Sequence, residues 1–592
     1  MPHVITTSPH KDIDVPDCTL PQLLLIPSFS KAASDRLSQP IFHPSPIAPR
    51  VLATRNGKDA PLSHLQIRSI AERVAVSLLS SAYHHGAAVV QPKWQKGYVV
   101  AFFSTNQHDY CAAVLGVQMA GGIAALCNPS CTPRELAHQL RMTKACIIIA
   151  ADETFDSASE AAKLASSKMD PSEEPLEEIV QPQIFAFDES HHASWADTLL
   201  TPPKSAWARK EKLLGQVDIN PYKDPATYCF SSGTSGLPKA LALTHRNLVA
   251  NVLQFRVLMD DQFEQHMSSS SPSSPPASQF HIDILPTSHA YGLLAQLVAL
   301  YTGTPRVVLA RFKLDLFLQV AQDKKVTFVF VVPPVLLALA KSPEVDKYNL
   351  TSLRRVASGA ASLPHELARQ VKQRLNIDVT DGYGMSEMSP IVCLQNVKDA
   401  AEAPGSVGFL APNTKARILG PDGQDVGPDQ EGELLLQGPQ MMAGYVHNDE
   451  GNRAAFTSNR DDPDCWLRTG DMAKVSEQGH ITLTGRTKDI IKVNGFQVSP
   501  RELEDLLFKQ PSVADAAVVG ATDDQGTEIP WAFLVASKDA AEVPEKERSE
   551  AITKAINGHV AGYKRIKGIT WVDALPKSNS GKVLKRLLKT PA

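Results

Sequence analysis

Within nine residues, Ser231-Ser232-Gly233-Thr234-Ser235-Gly236-Leu237-Pro238-Lys239 combines hydroxyls, glycine-freed backbone N–H groups and a cation. Each of these is a donor to phosphate oxygen, and together they make a cradle for phosphates. The spacing G-x-x-x-x-G-K-[ST] is absent, so this is not a Walker A loop. A Ser/Gly-rich surface loop has the same composition, and these residues alone leave both readings open. Metal chemistry has less support. Of the eight cysteines, only Cys127 and Cys131 are close, and no second pair or histidine cluster completes a site. Buried, reduced thiols are the simpler reading, and they fit a cytoplasmic protein.

The elements that must position such a loop read as an alternating α/β chain. At 592 residues the sequence is too long for one hydrophobic core. Apolar content of 43% and charged content of 21% are those of a soluble globular protein. A net charge of -4 offers no general attraction to nucleic acid or anionic membrane. No unbroken apolar run is long enough to span a bilayer, and residues 1–17 do not read as a signal peptide. Residues 97–106 and 123–129 are strand-like, 109–122 helical, and 145–150 a strand. A helix over 132–143 takes Thr132 as N-cap and Pro133 in its first turn. This alternation predicts a largely parallel sheet. Residues 157–178 read as a polar surface helix and loop, and the Ser/Pro tract 268–279 as a disordered insertion. Beyond residue 400, Gly-punctuated strands take over. From about Lys488 a small mixed unit follows, with a helix over 499–510, strands over 513–520 and 529–536, and a closing helix.

Several motifs in consistent order give the chain a family resemblance. The loop 231–239 continues into "LTHRNL"; "LPTSHAYGL" follows, then "SGAASLP" (358–364), "DGYGMSE" (381–387), "WLRTGD" (466–471), "GRTKDIIKVNGFQVSPRELE" and "LPKSNSGKVLKRLL" (575–588). From about residue 45 to 590 the sequence resembles the adenylate-forming superfamily: acyl- and aryl-CoA synthetases, luciferases and peptide-synthetase adenylation domains. It is most similar to 4-coumarate:CoA ligase-like enzymes. The resemblance implies a large N-terminal domain (46–487) of sheets flanked by helices with a small β-barrel-like part. A lead-in (1–45) precedes it, and a small mobile α+β C-terminal domain (488–592) follows.

It also implies site roles. Ser231, Ser232, Gly233, Thr234, Ser235, Gly236 and Lys239 would close on the ATP phosphates. His289 would gate the acyl pocket, walled by Tyr291, Ala360, Gly384, Pro390 and Ile391. Ala360 and Ala361 belong to the adenine-binding turn, with Asp381, Gly382 and Tyr383 against the base. Ser386 would hydrogen-bond the α-phosphate, and Glu387 would hold Mg²⁺, a hard cation suited to carboxylate oxygen. Asp471 would take the ribose hydroxyls, with Arg486 near ribose and phosphate. Lys488 is the expected hinge, and Lys492, Gly495 and Gln497 serve the adenylate or the second half-reaction. Lys582 is the expected catalytic cation of the first, while Lys577, Lys585 and Arg586 read as a solvated basic face. The chain departs from the family at Asp381, where glutamine is common, at Ser386, where threonine is common, and at Asn494, where lysine is frequent.

The implied reaction joins a carboxylic acid to AMP, releases pyrophosphate, and passes the acyl group to the thiol of coenzyme A. A separate carrier-protein thiol is the alternative acceptor, and a non-catalytic nucleotide-binding protein is a reading of another class. Ala290 stands where amino-acid-activating relatives place an aspartate, so a substrate ammonium would lack a buried counter-charge. The apolar pocket set favours a hydrophobic monocarboxylate, aryl or medium-chain.

Overall fold

The computed structural model describes residues 5–25, 50–51, 62–80, 94–166, 182–187, 194–231, 238–267, 281–493, 496–523, 528–537, 540, 542–578 and 581–590. Its largest sheet runs, edge to edge, through Gly444–Tyr445, Lys239–Thr244, Pro225–Ser231, Ile123–Cys127, Val99–Phe103, Ala145–Ala150 and Gln183–Ala186. The strands from Pro225–Ser231 to Gln183–Ala186 are parallel; Lys239–Thr244 and Gly444–Tyr445 join antiparallel at one edge. Val99–Phe103 and Ile123–Cys127 are buried at every position, as parallel strands covered on both faces must be.

The capping signals operate as the sequence implies. Thr132 and Glu135 form a reciprocal capping box at the start of Pro133–Thr143, and Lys144 ends that helix in the left-handed region. The polar segment after residue 150 becomes the helix Asp152–Ser166. It is not simply a surface element, because Ala158, Ala161, Ala162 and Ala165 bury one face of it against the sheet. The Ser/Pro tract 268–279 lies outside the described residues.

A second sheet, Phe328–Val331, Arg355–Ser358, Asp378–Gly384, Ile391–Leu394 and Phe409–Leu410, begins parallel and ends antiparallel. A third, antiparallel sheet holds Lys415–Leu419, Gly432–Gln437, Leu467–Val475 and Ile481–Arg486, with Thr6–Thr7 added at its edge. The Pro-, Ser- and His-rich lead-in, whose composition suggests loose packing, is not loose over residues 5–25. Ile13, Val15, Cys18 and the helix Leu20–Leu25 are buried in the main core. Their apolar side chains remove more surface from water than the Pro/Ser-rich flanks indicate.

The carboxyl-terminal part has its own cores. The helix Pro500–Phe508 and the antiparallel pair Val513–Thr522 and Glu528–Ala536 enclose Val498, Leu503, Leu507, Val518 and Leu534. The helix Glu545–Asn557 does not close the chain. It is the crossover to a further strand, Gly568–Trp571, parallel to Glu528–Ala536, a connection that parallel pairing requires. Leu23 is fully buried in the main core. Leu23→Ala is expected to cost about 2–5 kcal/mol, read as a lower urea midpoint by tryptophan fluorescence; an unchanged midpoint would place the segment outside the cooperative unit.

Candidate active site

The ends of the second and third sheets face the carboxyl-terminal part across a cavity of about 580 Å³. Ala360, Ala361, Asp381, Gly382, Tyr383, Gly384, Asp471, Arg486 and Lys582 all line it. Asp471 and Arg486 are cross-strand partners, and Arg486 Nε lies 3.2 Å from Asp471 Oδ1. The Tyr383 hydroxyl donates to Asp471 Oδ2 at 2.7 Å, so the carboxylate is held from two sides. Ala360 sits in the turn after Arg355–Ser358 with φ 67°, a conformation uncommon outside glycine. Gly384 admits no side chain, because a Cβ there would lie 2.3 Å from the Pro390 carbonyl oxygen.

Asp381 is buried, and burial pushes its carboxyl up to about 7, against the opposing field of Arg501. Its own Oδ1 accepts the Gly382 N–H at 3.0 Å, and its N–H donates to Gln395.

Beside this wall, Ser386 and Glu387 lie in the short 3₁₀ turn Ser386–Met388. Glu387 is buried, and Oε1 accepts the hydroxyl of Tyr445 at 2.9 Å. The Lys239 ammonium stands 5.1 Å from the centroid of the same tyrosine ring, a cation–π contact. Lys239 and Ser231 are register partners, which brings the two ends of the phosphate-type loop together. Ser232, Gly233, Thr234, Ser235 and Gly236 lie outside the described residues. Tyr445 was not anticipated from sequence. Its only signal was a phenol in "MMAGYVH", a residue that seeks a hydrogen-bond partner when buried.

Lys582 reaches the cavity from a hairpin. Its pKa is lowered to about 8, first by burial and then by Arg486; Asp471, Asp489 and Glu387 act in the opposite direction. Gly581 beside it has φ 81°, and a Cβ there would come 2.8 Å from the Pro334 ring, at the first turn of Pro333–Lys341.

Other expected residues lie elsewhere. His289, Tyr291, Pro390 and Ile391 are not among the cavity-lining residues. His289 caps the helix Ala290–Thr302, its Nδ1 accepting the Tyr291 N–H at 3.3 Å, and burial depresses its pKa. The Tyr291 hydroxyl donates to the Ala357 carbonyl, and its ring meets Phe330 edge-on. Pro390 and Ile391 are buried. Lys488 is exposed just beyond Ile481–Arg486. Lys492 is exposed in Ile491–Val493, and Gln497 pairs with it in register. Gly495 lies outside the described residues. Lys577, Lys585 and Arg586, in contrast, do border the cavity; Lys577 and Lys585 do not form a solvated face, since they pair with Asp515 and Glu504 respectively, while Arg586 is exposed. The carboxylates that claim them come from distant sequence, which is why the basic run misled.

Residues 76–446 match the family model of AMP-binding enzymes, and residues 502–582 match that of the AMP-binding enzyme C-terminal domain. The chain belongs to the AMP-binding enzymes. This AMP-binding enzyme is 32% identical over 501 residues to 4-coumarate-CoA ligase 2 of Narcissus pseudonarcissus, covering 84% of this chain and 82% of that one. It is 34% identical over 505 residues to 4-coumarate–CoA ligase 1 of Petroselinum crispum, covering 84% of each. Its fold matches ATP-bound MatB from Rhodopseudomonas palustris with a TM-score of 0.75 at 23% identity, over 96% of this chain and 97% of that one. It also matches the anthranilate CoA ligase AuaEII in complex with anthranoyl-AMP, with a TM-score of 0.74 at 22% identity, over 89% and 92% of the two chains.

Gly581→Ala is expected to weaken docking of the hairpin by about 1–2 kcal/mol or more, from the left-handed backbone alone. Labelling of Lys582 by an amine-directed reagent, followed by mass spectrometry, should then quicken. In the unaltered enzyme that labelling should titrate near pH 8 rather than near 10.5. A midpoint near 10.5 would mean that the ammonium is not in the cavity.

Proposed function

We propose that this enzyme activates a hydrophobic monocarboxylic acid with ATP, releasing pyrophosphate, and transfers the acyl group from AMP to the thiol of coenzyme A. The observation that carries this reading is the placement of Lys582, from the carboxyl-terminal part, in one cavity with Tyr383, Asp471 and Arg486. In this reading the large domain spans 46–487 and the small one 488–592.

The carboxylate needs no base, because it is already an anion at neutral pH. The obstacle is the approach of two anions and the charge that builds on the α-phosphate. Lys582 supplies a cation where that charge develops, partly buried so that its field is screened less than in bulk water. Lys239 and the 231–236 loop neutralise the β- and γ-phosphates, and the Ser386 hydroxyl donates to the α-phosphate. Asp471, held by Tyr383 and Arg486, presents acceptor oxygen to the ribose hydroxyls. Ala360, Ala361, Asp381, Gly382 and the Tyr383 ring bound the adenine.

Glu387 fits the Mg²⁺ that accompanies ATP: it is a buried carboxylate, fixed at one oxygen by Tyr445, the tyrosine whose ring Lys239 meets. That ion, when bound, neutralises phosphate charge. After adenylation, rotation at Lys488 withdraws Lys582 and brings the residues Lys492, Gly495 and Gln497 to the adenylate, so that one site serves two steps. Tyr291, Ala360, Gly384, Pro390 and Ile391 wall the acyl side, with His289 at its mouth. These are uncharged, which suits an aryl or medium-chain acid. All eight cysteines are free, which accords with a cytoplasmic setting.

The test is ATP–pyrophosphate exchange over a panel of aryl and alkyl acids, followed by acyl-CoA formation. Acid-dependent exchange and acyl-CoA are expected. Exchange without acyl-CoA would transfer the acceptor role to a carrier-protein thiol, and no exchange with any acid would refute the reading. Lys582→Ala should lower exchange by about 10²–10³-fold while leaving thioester formation from supplied acyl-adenylate intact. Lys488→Pro should do the reverse. Lys582 acts as a cation only when protonated. With a free-enzyme pKa of about 8, kcat/KM for exchange should be level below that pH and fall above it. A profile still level at pH 9.5 would contradict the assignment.

A further inference from the structure

The hairpin that carries Lys582 is held on both legs. Its own hydrogen bonds are short-range: Ser578 N–H to the Lys582 carbonyl, Gly581 N–H to the Ser578 carbonyl, and Leu584 N–H to the Pro576 carbonyl, each at 2.8 Å. Lys577 and Val583 bridge antiparallel across it. A single short hairpin of this kind is only marginally stable alone. It is fastened from beneath by apolar contact, because Leu575, Val583 and Leu588 pack with Ala517 and Phe533. Gly581, Lys582, Val583 and Leu584 of the hairpin all border the cavity, so where the hairpin docks decides where the Lys582 ammonium stands.

Each leg then ends in an ion pair. Lys577 Nζ lies 2.6 Å from Asp515 Oδ2, and Lys585 Nζ lies 2.8 Å from Glu504 Oε1. Lys585 also donates to the Val518 carbonyl at 2.9 Å, and Glu504 Oε1 accepts the Val518 N–H at the same distance. All four side chains are at most one-quarter exposed, unlike surface pairs, which contribute little. Glu504 belongs to Pro500–Phe508 and Asp515 to Val513–Thr522. Both acids therefore lie in the carboxyl-terminal part with the hairpin, and neither pair crosses to the main core. They do not hold the two parts together. They fix where Lys582 stands on the part that carries it.

We propose that Lys577 and Lys585 are positioning residues, whose ion pairs with Asp515 and Glu504 staple the Lys582 hairpin in the geometry that adenylation needs. The proposal rests on the reading of Lys582 as the cation of the first half-reaction. Misplacing a reacting group by about 1 Å can cost roughly a hundredfold in rate.

The experiment compares the Lys577→Met/Lys585→Met double variant, the Lys577→Arg/Lys585→Arg double variant and Lys582→Ala in both half-reactions. The methionine pair is expected to lower kcat for pyrophosphate exchange about ten- to a hundredfold. KM for ATP and thioester formation from supplied acyl-adenylate should hold, and the arginine pair should restore exchange. Normal exchange in the methionine pair would overturn the proposal, as would equal loss of both half-reactions. If Lys582→Ala itself exchanges normally, the reading of Lys582 fails, whatever the staples do. If Lys582→Ala is inactive and the methionine pair is not, only the staples fail.

Discussion

The proposed reaction depends on one partly buried ammonium. Taking Lys582 out of water disfavours its charged form, and Arg486 adds to the penalty; the carboxylates of Asp471, Asp489 and Glu387 oppose it. A lysine held at that balance is a loosely committed cation. In the proposed reaction the negative charge of a nucleotide would draw it further, and a change in that charge would release it. For the proposed adenylation, a fully neutralised lysine would offer nothing to a developing phosphorane, and a fully solvated one would be too far away.

Two of those carboxylates are held in place by hydrogen bonds from other sheets. Asp471 is fixed by a cross-strand arginine and a phenol from a different sheet. Glu387 is fixed by the phenol of Tyr445, whose strand is an edge of the largest sheet and pairs with the strand of Lys239. Two tyrosine hydroxyls thus connect three sheets around the carboxylates proposed to meet the nucleotide. Preorganisation of this kind allows electrostatic stabilisation without rearrangement during reaction.

Much of the fold was legible because local signals agree with the tertiary outcome. The apolar runs at 99–103 and 123–127 have the buried pattern of central parallel strands, and Thr132 to Glu135 is a complete capping box. Residues whose chemistry is written in short motifs, such as Tyr383, Asp471, Arg486 and Lys582, converge on one cavity. What was not legible depends on partners far away in sequence. Tyr445 meets Glu387 across 58 positions. Lys577 and Lys585 looked solvated until Asp515 and Glu504 were brought to them by a separate helix and strand. The burial of Leu20–Leu25 is decided by the main core, not by its polar flanks. His289 is a residue with two roles in prospect, since its backbone capping position is visible only once the following helix is placed.

The most direct test is the distance from Lys582 Nζ to the group that replaces the α-phosphate in the enzyme trapped with a nonhydrolysable acyl-AMP mimic. A hydrogen-bond separation of about 2.7–3.2 Å is predicted. An ammonium left in bulk solvent, with the mimic bound and the hairpin undocked, would contradict the account.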